Sequence, residues 1–134
     1  MKICIDTNAY TFFKRAHPPL IHLFESAEEL FVPTVMMGEL FSGFYIGSKT
    51  NDNINALLEF LETPGVSVID ISPAIADRYG QIFKKLKEQG TPLPTNDIWI
   101  AACAFESGSR LVTYDRHFNK IPGLVTYSPA QHPV

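Results

Sequence analysis

The stretch Ile3-Cys4-Ile5-Asp6-Thr7-Asn8 is a short apolar run that ends abruptly in a carboxylate and two small polar residues. It is too short for alternation to classify. A β-branched run bounded by a polar break nevertheless reads as a buried strand of a parallel sheet, with Asp6 at its carboxyl end. In open α/β sheets ligands bind at that edge, where the loops leaving the strands meet the amino ends of the following helices. Three further acids, Glu39, Asp97 and Asp115, stand in comparable surroundings later in the chain.

Outward from this stretch, apolar runs alternate with helical stripes. Thr7 and Asn8 are placed to cap a helix beginning near Ala9. Pro18 and Pro19 interrupt, and Leu20, Leu23, Phe24 and Ala27 recur beyond them at helical spacing. Leu30 to Val32 is a second strand candidate, and Pro33 suits the first turn of a helix running to about Ile46. A helix opened by Asn51 or Asp52 would bury Ile54, Leu57, Leu58 and Leu61, and Val66 to Ile71 is the third strand. Ser72-Pro73 is a strong helix start, after which Ala76, Tyr79, Phe83 and Leu86 are expected to face inward. Thr95 or Asn96 is expected to cap a helix from about Asp97 to Ser107, apolar nearly all round and hence central, closed by Gly108. Strand candidates follow at Arg110 to Tyr114 and Leu124 to Tyr127, before a polar, proline-containing tail. This alternation implies a three-layer α/β/α arrangement around a central parallel sheet of four to five strands, with residues 1–134 forming a single domain.

Hydrophobic residues make up 46% of the chain and charged residues 19%, which excludes disorder and suits a sheet covered on both faces. Cys4 and Cys103 lie inside apolar runs with no other thiol or His at ligand spacing, so reduced core thiols and a cytoplasmic setting are expected. No apolar run reaches the length of a membrane span, and no signal-peptide pattern opens the chain. A net charge of −3 at first opposes a nucleic-acid partner. Four of the acids belong to the candidate site, however, and a divalent ion there would reverse the local field.

Asp6 ends the first strand and Asp115 follows the fourth, while Asp97 lies in the first turn of the central helix, where the dipole favours an anion. Glu39 shares a helix face with Val35, Met36, Ser42 and Gly43, and on so apolar a stripe a carboxylate needs a partner. Four carboxylates gathered at one sheet edge repel and raise one another's pKa unless a cation joins them. All-oxygen ligands select Mg²⁺ or Mn²⁺. Such an ion activates a water and polarises a phosphoryl oxygen, so the expected chemistry is phosphodiester hydrolysis. Asn8 and Thr113 would support the ion or the phosphate, and Arg116 offers a phosphate contact.

Four segments carry a resemblance: the Ile-Asp-Thr-Asn at the end of the first strand, Gly-Glu-Leu at 38–40, Asn-Asp-Ile-Trp-Ile-Ala-Ala at 96–102 and Thr-Tyr-Asp-Arg-His-Phe at 113–118. In this order and at these intervals they resemble the PIN domain, and more narrowly the VapC-type ribonuclease toxins of toxin–antitoxin pairs, over essentially the whole chain. The resemblance implies a metal-dependent endoribonuclease acting on RNA. Its acidic quartet would fall on Asp6, Glu39, Asp97 and Asp115, with the small polar residue at Thr113. It further implies a homodimer and a small antitoxin protein that occludes the site.

Taken singly, each acid has a plainer use, Asp97 as a helix cap and Asp115 as a turn residue. His117, with no partner visible in the sequence, reads as a surface residue. Tyr10, Phe13 and Trp99 read as core or dimer packing ahead of base stacking. Two other functions compete. A phospho-accepting receiver module also gathers acids at this edge, but it needs an acceptor Asp after the third strand and a Lys after the fifth; Asp70 and Tyr127-Ser128-Pro129 do not supply them. A catalytically silent PIN-like scaffold that only binds RNA could dispense with the acids, all of which are present.

Overall fold

Ile3, Cys4 and Ile5 are fully buried and form most of β1 (Lys2–Ile5), the middle strand of a five-stranded sheet. The structure, a computed structural model, describes residues 1–129; the tail expected beyond them lies outside the described residues. The other strands are β2 (Glu29–Pro33), β3 (Val66–Ile69), β4 (Arg110–Val112) and β5 (Thr126–Tyr127). The helices are α1 (Thr7–Lys14), α2 (Pro18–Ser26), α3 (Thr34–Ile46), α4 (Thr50–Leu61), α5 (Pro73–Gln89) and α6 (Thr95–Ser107), with a 3₁₀ turn at Arg116–Lys120.

Every pairing is parallel, in the order β3-β2-β1-β4-β5. The early part of the chain builds outward from β1 on one side and the late part on the other. The carboxyl ends of β1 and β4 therefore flank a topological switch point, the place where an open parallel sheet leaves a crevice for a ligand. Ile5 pairs with Val112, so Asp6 and Thr113 leave the sheet side by side. α6 packs on β1, β2 and β4, and α5 packs on α6. Covered from both directions, α6 buries Ile98, Ile100, Ala101, Ala102, Cys103 and Ala104, which is why its sequence lacks a polar face. The result is the three-layer α/β/α arrangement read from the sequence.

Local details differ from expectation. α1 begins at Thr7 because Asp6 is itself the cap, its Oδ1 accepting from the Ala9 N–H at 2.8 Å. α6 begins at Thr95 behind Pro94, with no side-chain cap, so neither Thr95 nor Asn96 serves as one. α4 starts at Thr50, one residue before the expected Asn51. β4 stops at Val112, opposite the last residue of β1, although the Thr113 N–H still reaches the Tyr127 carbonyl at 3.1 Å. The outer strands β3 and β5 are shorter than their apolar runs.

The inward stripe of α5 is also displaced. Leu86 is buried as expected, but Ala76 is exposed and Phe83 is 47% exposed, and Ile75 and Ile82 are buried in their place. Two apolar stripes overlap on this helix. The aliphatic one fills the contact with α6, and the aromatic one goes to the rim, where Tyr79 stacks on Trp99 with ring centroids 4.0 Å apart. Cys4 and Cys103 are buried and free. Among the described residues no helix is long and apolar enough to cross a membrane.

Candidate active site

At the switch point lies a cleft of about 140 Å³ lined by Asp6, Thr7, Asn8, Glu39, Asp97, Ile100, Asp115 and Phe118. A larger hollow of about 330 Å³ among α1, α2, α4 and the start of β3 is walled mainly by apolar side chains, including Phe13, Phe24 and Phe60. Convergent polar groups, not volume, mark a site for chemistry, so the smaller cleft is the candidate.

Asp6 is only 5% exposed. Both of its oxygens are engaged: Oδ1 by the Ala9 N–H at 2.8 Å and Oδ2 by the Thr113 hydroxyl at 2.6 Å. Its pKa is nonetheless pushed up from 3.8 to about 6. Burial is the largest cause; the two hydrogen bonds oppose it, and the charges of Asp97 and Asp115 add a smaller push. Repulsion among the acids, which the sequence reading put first, is thus secondary to desolvation.

Glu39 comes from α3. The partner its apolar face demands is Thr7, whose hydroxyl donates to Oε1 at 2.6 Å. Thr7 is free to do so because Asp6 took the capping role. Asp97, in the first turn of α6, has its pKa raised chiefly by burial, an effect opposed by His117 and reinforced by Glu39 and Asp115. Asp115 caps the 3₁₀ turn by accepting from the His117 N–H at 3.1 Å, and its own N–H donates to Thr113 Oγ1 at 3.0 Å.

The surface reading of His117 is overturned. Its ring stands between two of the acids, Nε2 lying 2.7 Å from Asp97 Oδ2 and Nδ1 lying 2.9 Å from Asp115 Oδ1. Both are close contacts, but the Nε2 contact lacks the alignment of a hydrogen bond, so that buried nitrogen has no directed partner. Nothing in the local sequence announces this contact, because Asp97 and His117 meet only through the return of β4 beside β1.

The other expected site residues divide. Thr113 is buried and links Asp6 to Asp115. Asn8 is an exposed part of the cleft wall, and Arg116 is exposed and does not line the cleft. All four acids therefore share one wall, yet among the described residues no three His, Cys, Asp or Glu side chains are grouped closely enough to hold an ion as they stand. The chain's own hydroxyls, amides and imidazole engage the carboxylates in this arrangement. A hard divalent cation still fits the donor set, which is all carboxylate oxygen around a buried charge that burial alone disfavours.

Residues 3–124 match the PIN domain family. A ribonuclease VapC2 of Haemophilus influenzae is 30% identical over 129 residues, covering 94% of this chain and 96% of the relative. Among solved structures, VapBC2 from Rickettsia felis, bound to a DNA fragment from its promoter, superimposes with a TM-score of 0.84 at 25% identity, covering 95% of this chain and 98% of that one. VapBC-1 from nontypeable Haemophilus influenzae gives a TM-score of 0.85 at 25% identity, covering 96% and 98%.

Proposed function

The chain belongs to the PIN domain family, and from that premise we propose that it is an endoribonuclease dependent on Mg²⁺ or Mn²⁺, the toxin of a toxin–antitoxin pair. The observation that carries the reading is the convergence of Asp6, Glu39, Asp97 and Asp115 on one cleft at the switch point of the sheet. It is supported by similarity to VapC ribonucleases along nearly the full chain.

Asp6, Glu39, Asp97 and Asp115 would hold the cation. When bound, it would acidify a water and neutralise charge on the phosphoryl oxygens. The chain's own contribution is positional. Thr113 holds Asp6 from one side and Asp115 from the other, while Thr7 holds Glu39. Ile100 and Phe118, each 1% exposed, form an apolar wall that limits water beside the acids. Asn8, in the cleft wall, and Arg116, exposed outside it, are available to the flanking phosphates.

A small antitoxin partner and a homodimeric toxin accompany this reading, by analogy with the VapBC relatives. The single domain 1–134 would work in the cytoplasm, in keeping with two buried free thiols. The receiver alternative falls away with the family assignment. A silent RNA-binding scaffold differs from the enzyme in one measurable respect, cleavage.

The test is incubation of the purified protein with RNA, with and without EDTA, beside Asp6→Asn. Cleavage that requires a divalent ion and is lost in the variant is expected. Cleavage that continues in EDTA, or that Asp6→Asn retains, refutes the proposal, and RNA binding without cleavage identifies the scaffold.

A further inference from the structure

We infer that His117 blocks the cation site: its imidazole bridges Asp97 and Asp115 in the metal-free protein, and a divalent ion enters by displacing the ring. The inference rests on the metal-dependent reading of the same cleft.

Asp97 and Asp115 come from different elements, the first turn of α6 and the segment after β4. The ring bridges them, with one nitrogen 2.7 Å from Asp97 and the other 2.9 Å from Asp115. An ion held by both acids would compete with the ring for Asp97 Oδ2 and Asp115 Oδ1. That agrees with the absence of any ready ligand group among the described residues, although four acids share the cleft.

A permanent support for metal ligands looks different, and this cleft contains two for comparison. Thr113 on Asp6 and Thr7 on Glu39 are short hydrogen bonds of 2.6 Å. The His117 ring, by contrast, has a buried Nε2 without an aligned hydrogen-bond partner, so its contacts are the more easily given up. The ring also has a way out. Its side chain is 28% exposed, and the turn beneath it is secured by the backbone N–H of the same residue donating to Asp115. Rotation about the side-chain bonds alone clears the gap and leaves the turn intact.

The experiment is calorimetric titration of the full-length protein with Mn²⁺ alone, comparing wild type, His117→Ala and Asp6→Asn. His117→Ala is expected to bind Mn²⁺ about three- to tenfold more tightly, the equivalent of about one polar contact removed from competition. It is also expected to melt at a lower temperature in EDTA than wild type. Unchanged or weaker Mn²⁺ binding by a folded His117→Ala overturns the inference. If wild type binds Mn²⁺ and Asp6→Asn does not, that failure leaves the nuclease reading standing; if wild type binds no Mn²⁺, both fail. A measurement on wild type covers the case of a variant that does not fold. The rate at which diethyl pyrocarbonate modifies His117, read by mass spectrometry against His17 and His22, is expected to rise when Mg²⁺ saturates the protein. An unchanged or lower rate refutes displacement.

Discussion

The hydroxyl of Thr113 donates to Asp6 Oδ2 at 2.6 Å, and the same oxygen accepts the backbone N–H of Asp115 at 3.0 Å. A hydroxyl has one proton to give, and here it goes to Asp6. The pairing of Ile5 with Val112 in neighbouring strands makes this possible, because it brings the next residue of each strand out at the same edge. One side chain thus ties together two acids that come from opposite ends of the sequence.

Thr113→Val keeps the shape and removes the hydroxyl. Asp6 Oδ2 and the Asp115 N–H both lose their partner, and leaving buried polar groups unsatisfied costs about 1–3 kcal/mol. Urea denaturation should show a loss of that size, and RNA cleavage at pH 7 should fall at least tenfold, since the carboxylate of Asp6 becomes harder to ionise and to orient. Thr113→Ser should recover most of both. Full activity in the valine variant would mean that the link has no part in the chemistry.

Asp6 offers a test of stability against pH. Burial raises its pKa from 3.8 to about 6, so the folded state holds the proton more tightly than the unfolded chain. The resulting stabilisation is complete below the unfolded value, near pH 4, and is lost as pH rises through about 6. A shift of this size corresponds to roughly 3 kcal/mol. In EDTA, Asp6→Asn should therefore be the more stable protein at pH 7.5, by up to about 3 kcal/mol, less whatever the amide sacrifices in its contact with Thr113. That advantage should shrink toward pH 4.5 while cleavage stays absent throughout. A difference between the two proteins that does not vary with pH would refute the raised pKa.

Three of the acids could be found in the sequence because each sits at a marked boundary: Asp6 where a β-branched run breaks, Asp97 just after Pro94, Asp115 where the fourth strand gives way to a turn. Glu39 could be found as a charge on an apolar face. Its partner could not, because Thr7 can equally well cap a helix, and only the extended backbone of Asp6 (φ −96, ψ 177) shows that the aspartate caps α1 and leaves the threonine facing α3. His117 was beyond reach for a different reason. Its nearness to Asp97 depends on the order of strands in the sheet, which no local pattern encodes. In α5 the stripe was only partly placed: Leu86 is buried as expected, but Ile75 and Ile82 interleave with Ala76, Tyr79 and Phe83 and only packing against α6 selects between them.

Thr7→Val should separate positioning of Glu39 from folding. The Thr7 hydroxyl is the hydrogen-bond donor to Glu39 Oε1, at 2.6 Å, so the variant leaves a half-buried carboxylate unheld. Such supporting contacts are worth on the order of 10–100-fold in metal affinity or activity. Mn²⁺ binding should weaken within that range with little change in melting temperature, and Thr7→Ser should restore it. Should Thr7→Val bind Mn²⁺ like wild type, Glu39 is oriented by α3 alone.

Removing the metal should have its own pH signature. Divalent ions bind the ionised carboxylates, and protons compete for the same oxygens. Asp6 holds its proton up to a pH of about 6, and burial raises Asp97 in the same direction. At pH 7.5 Asp6 is available as an anion, and Mn²⁺ at 100 times its dissociation constant should stabilise the wild-type fold by about 2.7 kcal/mol over EDTA. Below pH 6 each proton that must leave lowers the apparent affinity about tenfold per pH unit, so at a fixed Mn²⁺ concentration the stabilisation should fade toward pH 5. Asp6→Asn should show little stabilisation at either pH. Thermal melts with and without Mn²⁺ at both pH values supply the comparison. An equal Mn²⁺ effect at pH 5 and 7.5 in wild type would place the ion away from Asp6.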